Sequence, residues 1–91
     1  MRVRVHIFLS GRVQGVFFRS ETRREAQRHN VKGWVRNLPD GGVEAVLEGE
    51  KENVDQLIKF CKKGPHGAKV TKTEVVFELY KGEFENFRIE W

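Results

Sequence analysis

The sequence has one cysteine, two prolines and no long apolar run. A lone cysteine excludes an intrachain disulfide framework and a thiolate metal cluster, so nothing points to an oxidising compartment. No stretch approaches the roughly 20 apolar residues that a membrane-spanning helix needs. The first nine residues alternate polar and apolar side chains, which is not the pattern of a signal peptide. We therefore expect a cytoplasmic protein that does not bind membranes.

Clusters of metal ligands are also missing. His6, His29 and His66 fall on a strand, a helix end and a loop, and Asp40 and Asp55 are isolated. This spacing does not fit a zinc site or a Mg²⁺ site of the kind that nucleotide enzymes use. No glycine loop ends in Gly-Lys-Ser/Thr, which argues against ATP as a substrate. The sequence predicts a protein without a metal or other cofactor.

What is present is charge. Seventeen Lys and Arg against 13 Asp and Glu give a net charge of +4 over 91 residues. This excess favours anionic ligands without choosing between a phosphate ester, nucleic acid and a membrane surface. Charged residues make up 33% of the chain, a composition typical of heat-adapted proteins. The length fits one domain, residues 1–91, with one modest core.

The hydrophobic periodicity predicts five strands and two helices. Val3, Val5, Ile7 and Leu9 alternate with polar residues, as in a half-buried strand. Phe18, Thr22 and Ala26 are spaced by four within the first helix, and Cys61 closes the apolar stripe of the second. The predicted elements are a strand over 3–9, a helix over 19–30, strands over 31–38 and 43–48, a helix over 50–63, a strand at Val75, Phe77 and Leu79, and a last strand at Phe87, Ile89 and Trp91.

The order β-α-β-β-α-β, with a final strand, determines the expected architecture. Each split β-α-β unit returns its strand beside the first, so both helices cover one face of the sheet. Pro39-Asp40-Gly41-Gly42 favours a tight turn between the second and third strands. We therefore predict an α+β, ferredoxin-like sandwich with an antiparallel sheet.

Residues 9–19, L-S-G-R-V-Q-G-V-F-F-R, join the first strand to the first helix. The first N–H groups of a helix have no intrahelical partner, and the helix dipole adds positive potential there. Gly11 and Gly15 allow conformations that a Cβ would obstruct, and Arg19 offers a planar fork for phosphate oxygens. A cation at a helix N-terminus is unfavourable unless an anion accompanies it. The segment predicts an anion site.

Two runs, G-R-V-Q-G-V-F-F-R at 11–19 and G-W-V-R-N-L-P-D-G-G-V-E at 33–44, resemble the two signature motifs of the acylphosphatases. The resemblance implies hydrolysis of acyl phosphates to carboxylate and inorganic phosphate, without a cofactor. It assigns catalytic roles to Arg19, which contacts the phosphoryl group, and Asn37, which orients the attacking water. The implied substrate-binding residues are Gln14, Gly15, Val16, Phe17, Phe18 and Arg19.

Several alternatives stay open from the residues alone. Asn37 precedes Leu-Pro-Asp-Gly and could be a turn former, and Phe17 and Phe18 could each line the site or begin the core. Neither motif offers an obvious base near Arg19 and Asn37 except Glu21, which lies beyond the loop. The resemblance implies instead that a phosphate oxygen of the substrate accepts the proton of the water.

The alternative class is a non-catalytic anion-binding or RNA-binding module, because RNA-recognition domains share this element order. Against it, the third strand reads V-E-A-V-L-E and carries negative charge. A domain of a larger carbamoyl-transferring protein is a further alternative. We expect a monomer that binds a small acyl phosphate and inorganic phosphate, with no nucleic-acid partner.

Overall fold

The computed structural model describes residues 1–91 as a five-stranded sheet with two helices. The elements, in chain order, are β1 Arg2–Arg12, α1 Phe18–Arg28, β2 Lys32–Asn37, β3 Val43–Glu50, α2 Lys51–Lys63, β4 Lys69–Glu78 and β5 Phe87–Glu90. The predicted order is confirmed. The left-handed Asn30 (φ 54°) follows α1 and lets the chain turn into β2.

The strand order is β4-β1-β3-β2-β5, which confirms the ferredoxin-like fold. The first four strands pair antiparallel, but β5 pairs parallel with β2, so the sheet is mixed rather than wholly antiparallel. The reason is the path of the chain. β4 ends at the same end of the sheet at which β1 and β2 begin. β5 also starts at this end, so it runs in the same direction as β2.

The core lies between the sheet and both helices, as the spacing predicts. β1 contributes Val5, Ile7 and Leu9, and the buried stripe of α1 is Phe18, Thr22 and Ala26. The stripe of α2 is Val54, Leu57 and Cys61, whereas Ile58 is only partly buried at its margin. Neither helix has the length and apolarity required to cross a membrane.

β4 differs most from the prediction. It is an edge strand, and it begins before the predicted alternating residues. Val75 packs against the core, but Phe77 is 54% exposed and Leu79 lies beyond the strand, 87% exposed. The alternating pattern predicts correctly which face of β4 points toward the core. An edge strand has a neighbouring strand on one side only, so the apolar side chains of β4 stay partly exposed to water.

The face of the sheet opposite the helices carries a partly buried ionic network. The Arg4 guanidinium contacts three carboxylates, those of Glu48 at 3.2 Å, Glu78 at 3.0 Å and Glu83 at 2.6 Å. Glu48 also accepts hydrogen bonds from the backbone N–H groups of residues 81–83. The network therefore fixes the connection that leads into β5.

Candidate active site

β1 contains a β-bulge two residues before it leads into the loop to α1. The register with β4 shifts between Ser10 and Gly11, and Gly11 has φ +119°. A Cβ on Gly11 would lie 2.1 Å from the backbone oxygen of Lys69, so only glycine fits. At Gly15 (φ +73°) a Cβ would meet nothing, so the requirement there is the backbone conformation and not space.

Phe17 is the N-cap of α1 and adopts the left-handed conformation, with φ 61° and ψ 25°. Its carbonyl accepts hydrogen bonds from the Glu21 N–H at 3.0 Å and from the Ser20 hydroxyl at 3.1 Å. The N–H groups of residues 15–20 donate to no acceptor within the chain. A left-handed residue followed by helical ones directs successive N–H groups toward one point, which is an anion-binding geometry.

A cavity of about 320 Å³ opens beside this turn. Arg19 and Asn37, the two residues predicted to be catalytic, both line it although they lie on different elements. Its wall consists of Val13, Gly15, Phe17, Phe18, Arg19, Ser20, Asn37, Ile89 and Trp91. The volume is at the small end of ligand-binding cavities and suits a small phosphorylated molecule.

Two of the predicted binding residues do not line the cavity. The Gln14 side chain donates to the carbonyls of Leu38 at 2.8 Å and Gly42 at 2.9 Å. Val16 packs against the hydrophobic core. Their side chains are thus used to fix the loop, and a contact from their backbone N–H groups to a ligand stays a prediction.

The predicted ambiguity of the two phenylalanines is resolved by burial. Phe17 is 79% exposed and lines the cavity, whereas Phe18 is 2% exposed. The Phe18 ring packs toward the Phe60 ring of α2, with centroids 6.5 Å apart. Phe18 therefore anchors α1 in the core while its neighbour borders the site.

Arg19 has no acidic partner, because no carboxylate oxygen lies within 4.0 Å of its guanidinium nitrogens. Its guanidinium carbon lies 4.3 Å from the centre of the Trp91 ring. Glu21, the nearest carboxylate in sequence, is outside the cavity and lies 4.0 Å from Arg24. No Asp, Glu or His lines the cavity, so its potential is set by Arg19 and the free N–H groups.

Asn37 is the last residue of β2 and pairs with Val43 of β3. The turn after it is closed by the Leu38 N–H on the Gly42 carbonyl at 2.8 Å and by the Asp40 carboxylate, which accepts from the Gly42 N–H at 2.9 Å. The Asn37 amide takes part in neither bond. The turn is therefore formed without it, and this side chain is available in the cavity.

Four further residues line the cavity and were not predicted from the sequence: Val13, Ser20, Ile89 and Trp91. Ile89 lies in the predicted final strand, but the strand ends at Glu90 and Trp91 follows it, and the alternating pattern did not reveal that this strand pairs with β2. Ser20 directly follows Arg19 in the first turn of α1, and its place in the sequence was the available signal.

The remaining candidate residues lie outside the cavity. Cys61 is buried in the core, as predicted, and burial raises the pKa of its thiol to about 12. His6 contacts the Glu44 carboxylate on the opposite face of the sheet. No group of three or more His, Cys, Asp or Glu side chains is arranged to hold a metal ion.

Comparison with known proteins gives one family. The family model described as Acylphosphatase matches residues 5–89. The acylphosphatase of Syntrophus aciditrophicus (strain SB) is 54% identical over 89 residues, covering 98% of this chain and 93% of that protein. The crystal structure of acylphosphatase from Bacillus subtilis has a TM-score of 0.93 and 32% identity, covering 98% of this chain and 99% of that one.

A longer protein contains a similar unit. The crystal structure of T.kodakarensis HypF has a TM-score of 0.82 and 35% identity, covering 99% of this chain but 12% of that chain. The same arrangement thus occurs both in proteins of this size and within a much longer chain. The family match, the near full-length relatives and the cavity lined by both motifs agree: this chain belongs to the acylphosphatase family and is a hydrolase of acyl phosphates.

Proposed function

We propose that Arg19 and the backbone N–H groups of residues 15–20 hold the phosphoryl group, and that Asn37 orients the attacking water. The observation that carries this proposal is the shared cavity, in which a cation without a carboxylate partner faces unpaired N–H donors and a free amide. Phosphoryl transfer depends mainly on positioning and charge stabilisation. These donors would neutralise the equatorial oxygens while water attacks in line with the leaving carboxylate.

The proton balance needs no acid or base from the chain. The leaving carboxylate has a pKa of about 4, so it departs without protonation. The water proton passes to a phosphoryl oxygen of the substrate, because no Asp, Glu or His lines the cavity. The products are the carboxylate and inorganic phosphate, and phosphate should compete with the substrate for the same donors.

We extend the proposal to metal independence. Mg²⁺ is held by carboxylate oxygens, and the polar groups of the side chains that line the cavity are one amide, one hydroxyl, one guanidinium and one indole N–H. The positive charge that a metal would contribute comes from Arg19 and the N-terminus of α1. Hydrolysis of an aryl acyl phosphate should proceed at the same rate with a chelator present. Restoration of a lost activity by Mg²⁺ would contradict this part of the proposal.

The two proposed catalytic residues should fail differently when replaced. Arg19→Gln removes a charged fork that contacts phosphate in ground and transition states, so phosphate affinity and kcat/KM should both fall. Arg19→Lys should rescue poorly, because a point charge does not replace a bidentate fork. Asn37→Ala removes a partner of the water only, so phosphate affinity should survive while kcat falls by about a hundredfold or more.

The test measures phosphate binding by titration calorimetry and kcat on an aryl acyl phosphate, after unfolding curves show that each variant is folded. Asn53→Ala is a matched control, because Asn53 is an asparagine of α2 that does not line this cavity. Near-normal kcat in Asn37→Ala would return Asn37 to a structural role. Unchanged phosphate affinity in Arg19→Gln would show that Arg19 does not bind the phosphoryl group.

Ionic pairing on the opposite face of the sheet argues against the RNA-binding alternative. His6 and Phe8 stack there with ring centres 4.6 Å apart, and His6 shares Glu44 with Arg36 and Glu78 with Arg4. Arg4 contacts three carboxylates, and Arg36 contacts Glu44 at 2.6 Å, so these cations are already neutralised. Phosphate contacts dominate nucleic-acid affinity, and paired cations do not provide them. A monomeric state and a cytoplasmic location stay predictions, testable by sedimentation and fractionation.

A further inference from the structure

The surroundings of Arg19 differ from those of Arg4 and Arg36, which lie on the face of the sheet opposite the helices. Arg4 is held by carboxylates of Glu48, Glu78 and Glu83, and Arg36 is held by Glu44. Arg19 is held by neither a carboxylate nor a carbonyl, and its guanidinium carbon lies 4.3 Å from the centre of the Trp91 ring. Arg4 and Arg36 also lie over rings, at 5.3 Å from Phe84 and 5.4 Å from Trp34, so Arg19 differs in having the aromatic face without a carboxylate beside it.

This difference matters for anion binding. All five guanidinium N–H donors lie in the plane of the group, so stacking on a ring leaves every donor free. A carboxylate would occupy two of them and would cancel the charge that a phosphate needs. The stacked ring therefore restricts the arginine without competing for its ligand.

The position of Trp91 is set by the sheet. Gly33 and Arg36 of β2 pair with Phe87 and Glu90 of β5, and the Gly33 N–H donates to the Asn86 carbonyl at 3.0 Å. Asn37 and Trp91 directly follow the two residues of the last pair along the chain. The same pairing that places Asn37 at the cavity thus places Trp91 there, and the ring joins the β2 side of the site to α1.

We propose that Trp91 is a positioning residue, which holds the Arg19 guanidinium by a cation–π contact with its N–H donors free for the phosphoryl group. This inference rests on the proposed role of Arg19. Because Trp91 is 93% exposed, its replacement should leave the fold intact and act on the site alone. An exposed cation–π contact corresponds to about a two- to fivefold change in an equilibrium constant.

The test compares Trp91→Leu with Trp91→Phe. Leucine keeps apolar bulk but has no π face, whereas phenylalanine keeps the face. Trp91→Leu should weaken phosphate binding about two- to fivefold, with kcat/KM falling by the same factor and kcat changing less. Trp91→Phe should recover most of the loss. Leu79→Ala is the matched control, because Leu79 is 87% exposed and lies after β4, near the end of the sheet away from the site.

A double replacement separates this inference from the proposal on which it rests. In an Arg19→Gln background, Trp91→Leu should have no further effect on phosphate affinity, since the contact is already gone. An equal effect in both backgrounds, or equal behaviour of the Leu and Phe variants, would overturn the cation–π role. If Arg19→Gln itself leaves phosphate affinity unchanged, the proposed function fails first. If only Trp91→Leu is without effect, the positioning role alone fails.

Discussion

The Gln14 side-chain amide donates a hydrogen bond of 2.8 Å to the backbone carbonyl of Leu38. A second bond, to the Gly42 carbonyl at 2.9 Å, uses the other hydrogen of the same amide. Gln14 belongs to the loop before α1, and Leu38 directly follows Asn37. One side chain therefore connects the two segments that carry the proposed phosphate site and the proposed water ligand.

Replacement of this donor should change the geometry between the two segments. Gln14→Glu has nearly the same shape but presents carboxylate oxygens to two carbonyl oxygens, which repel each other. We expect a loss of about 1 to 3 kcal/mol in the free energy of unfolding, because two hydrogen bonds are lost, although each carbonyl keeps its backbone donor in the turn. We also expect kcat to fall more than phosphate affinity, since Asn37 moves relative to the phosphoryl group. Urea unfolding and steady-state kinetics measure both.

Gln56→Glu is the control for the added charge, because Gln56 is exposed on α2 and makes no hydrogen bond through its side chain. It should change neither quantity appreciably. If Gln14→Glu behaved like Gln56→Glu, the hydrogen bonds between the loop and the hairpin would contribute neither to stability nor to catalysis.

Local patterns in the sequence were sufficient for much of the fold. The alternation in β1, the four-residue spacing of Phe18, Thr22 and Ala26, and the turn residues before Val43 each report on neighbours close in sequence. Such signals depend on side-chain direction within one element, which periodicity encodes directly. The prediction of Arg19 and Asn37 came from the motif resemblance, and the structure places both at one cavity.

Contacts between distant segments were not predictable in the same way. Nothing local marks the parallel pairing of β5 with β2, the stacking of Trp91 on Arg19 or the bonds from Gln14 to the hairpin. Each depends on where a later segment crosses the sheet, and a side-chain period carries no such information. The half-exposed Phe77 has the same cause, because the pattern gives the face of a strand but not its place at the edge.

The two neighbouring residues Leu57 and Ile58 should differ in their contribution to stability. Leu57 is fully buried between α2 and the sheet, whereas Ile58 is partly buried at the margin of the core. Leu57→Ala should cost about 2 to 5 kcal/mol, because truncation leaves a cavity, and Ile58→Ala should cost less. Urea unfolding tests this order. Equal losses would mean that α2 is rotated relative to the orientation described here, and kcat of the folded fraction should change little in either variant.

Acid should weaken the network around Arg4. Burial raises the pKa of Glu48, but hydrogen bonds from the Lys81 N–H and the Arg4 guanidinium outweigh it, so the net pKa is lowered from its ordinary 4.5. A carboxyl with a lower pKa in the folded state stabilises the protein above the unfolded-state pKa. That stabilisation is lost as the pH falls below 4.5 through the folded-state pKa.

Glu48→Gln tests this linkage. At neutral pH the variant should be less stable by about 1 to 3 kcal/mol, since a charged acceptor of several bonds becomes neutral. The difference from the parent chain should shrink as the pH is lowered below 4.5. Glu85→Gln, at an exposed glutamate outside the network, should show no such convergence. A constant difference from pH 7 to acid would mean that Glu48 contributes by packing and not by its charge.

Two replacements of the left-handed Phe17 should separate the effect of backbone strain on stability from the effect of losing the ring. Phe17→Gly and Phe17→Ala both remove a side chain that is 79% exposed, so the packing lost is small and the same in both. Only glycine adopts φ 61° without a steric cost, which for other residues is about 1 to 2 kcal/mol. Glycine also gains unfolded-state entropy, about 0.4 to 1 kcal/mol relative to alanine, which opposes this gain. The strain is the larger of the two, so Phe17→Gly should be more stable than Phe17→Ala by about 0.5 to 1 kcal/mol. Denaturant midpoints of the two variants measure this difference, and a more stable alanine variant would show that the loop relaxes away from the left-handed conformation once the ring is gone.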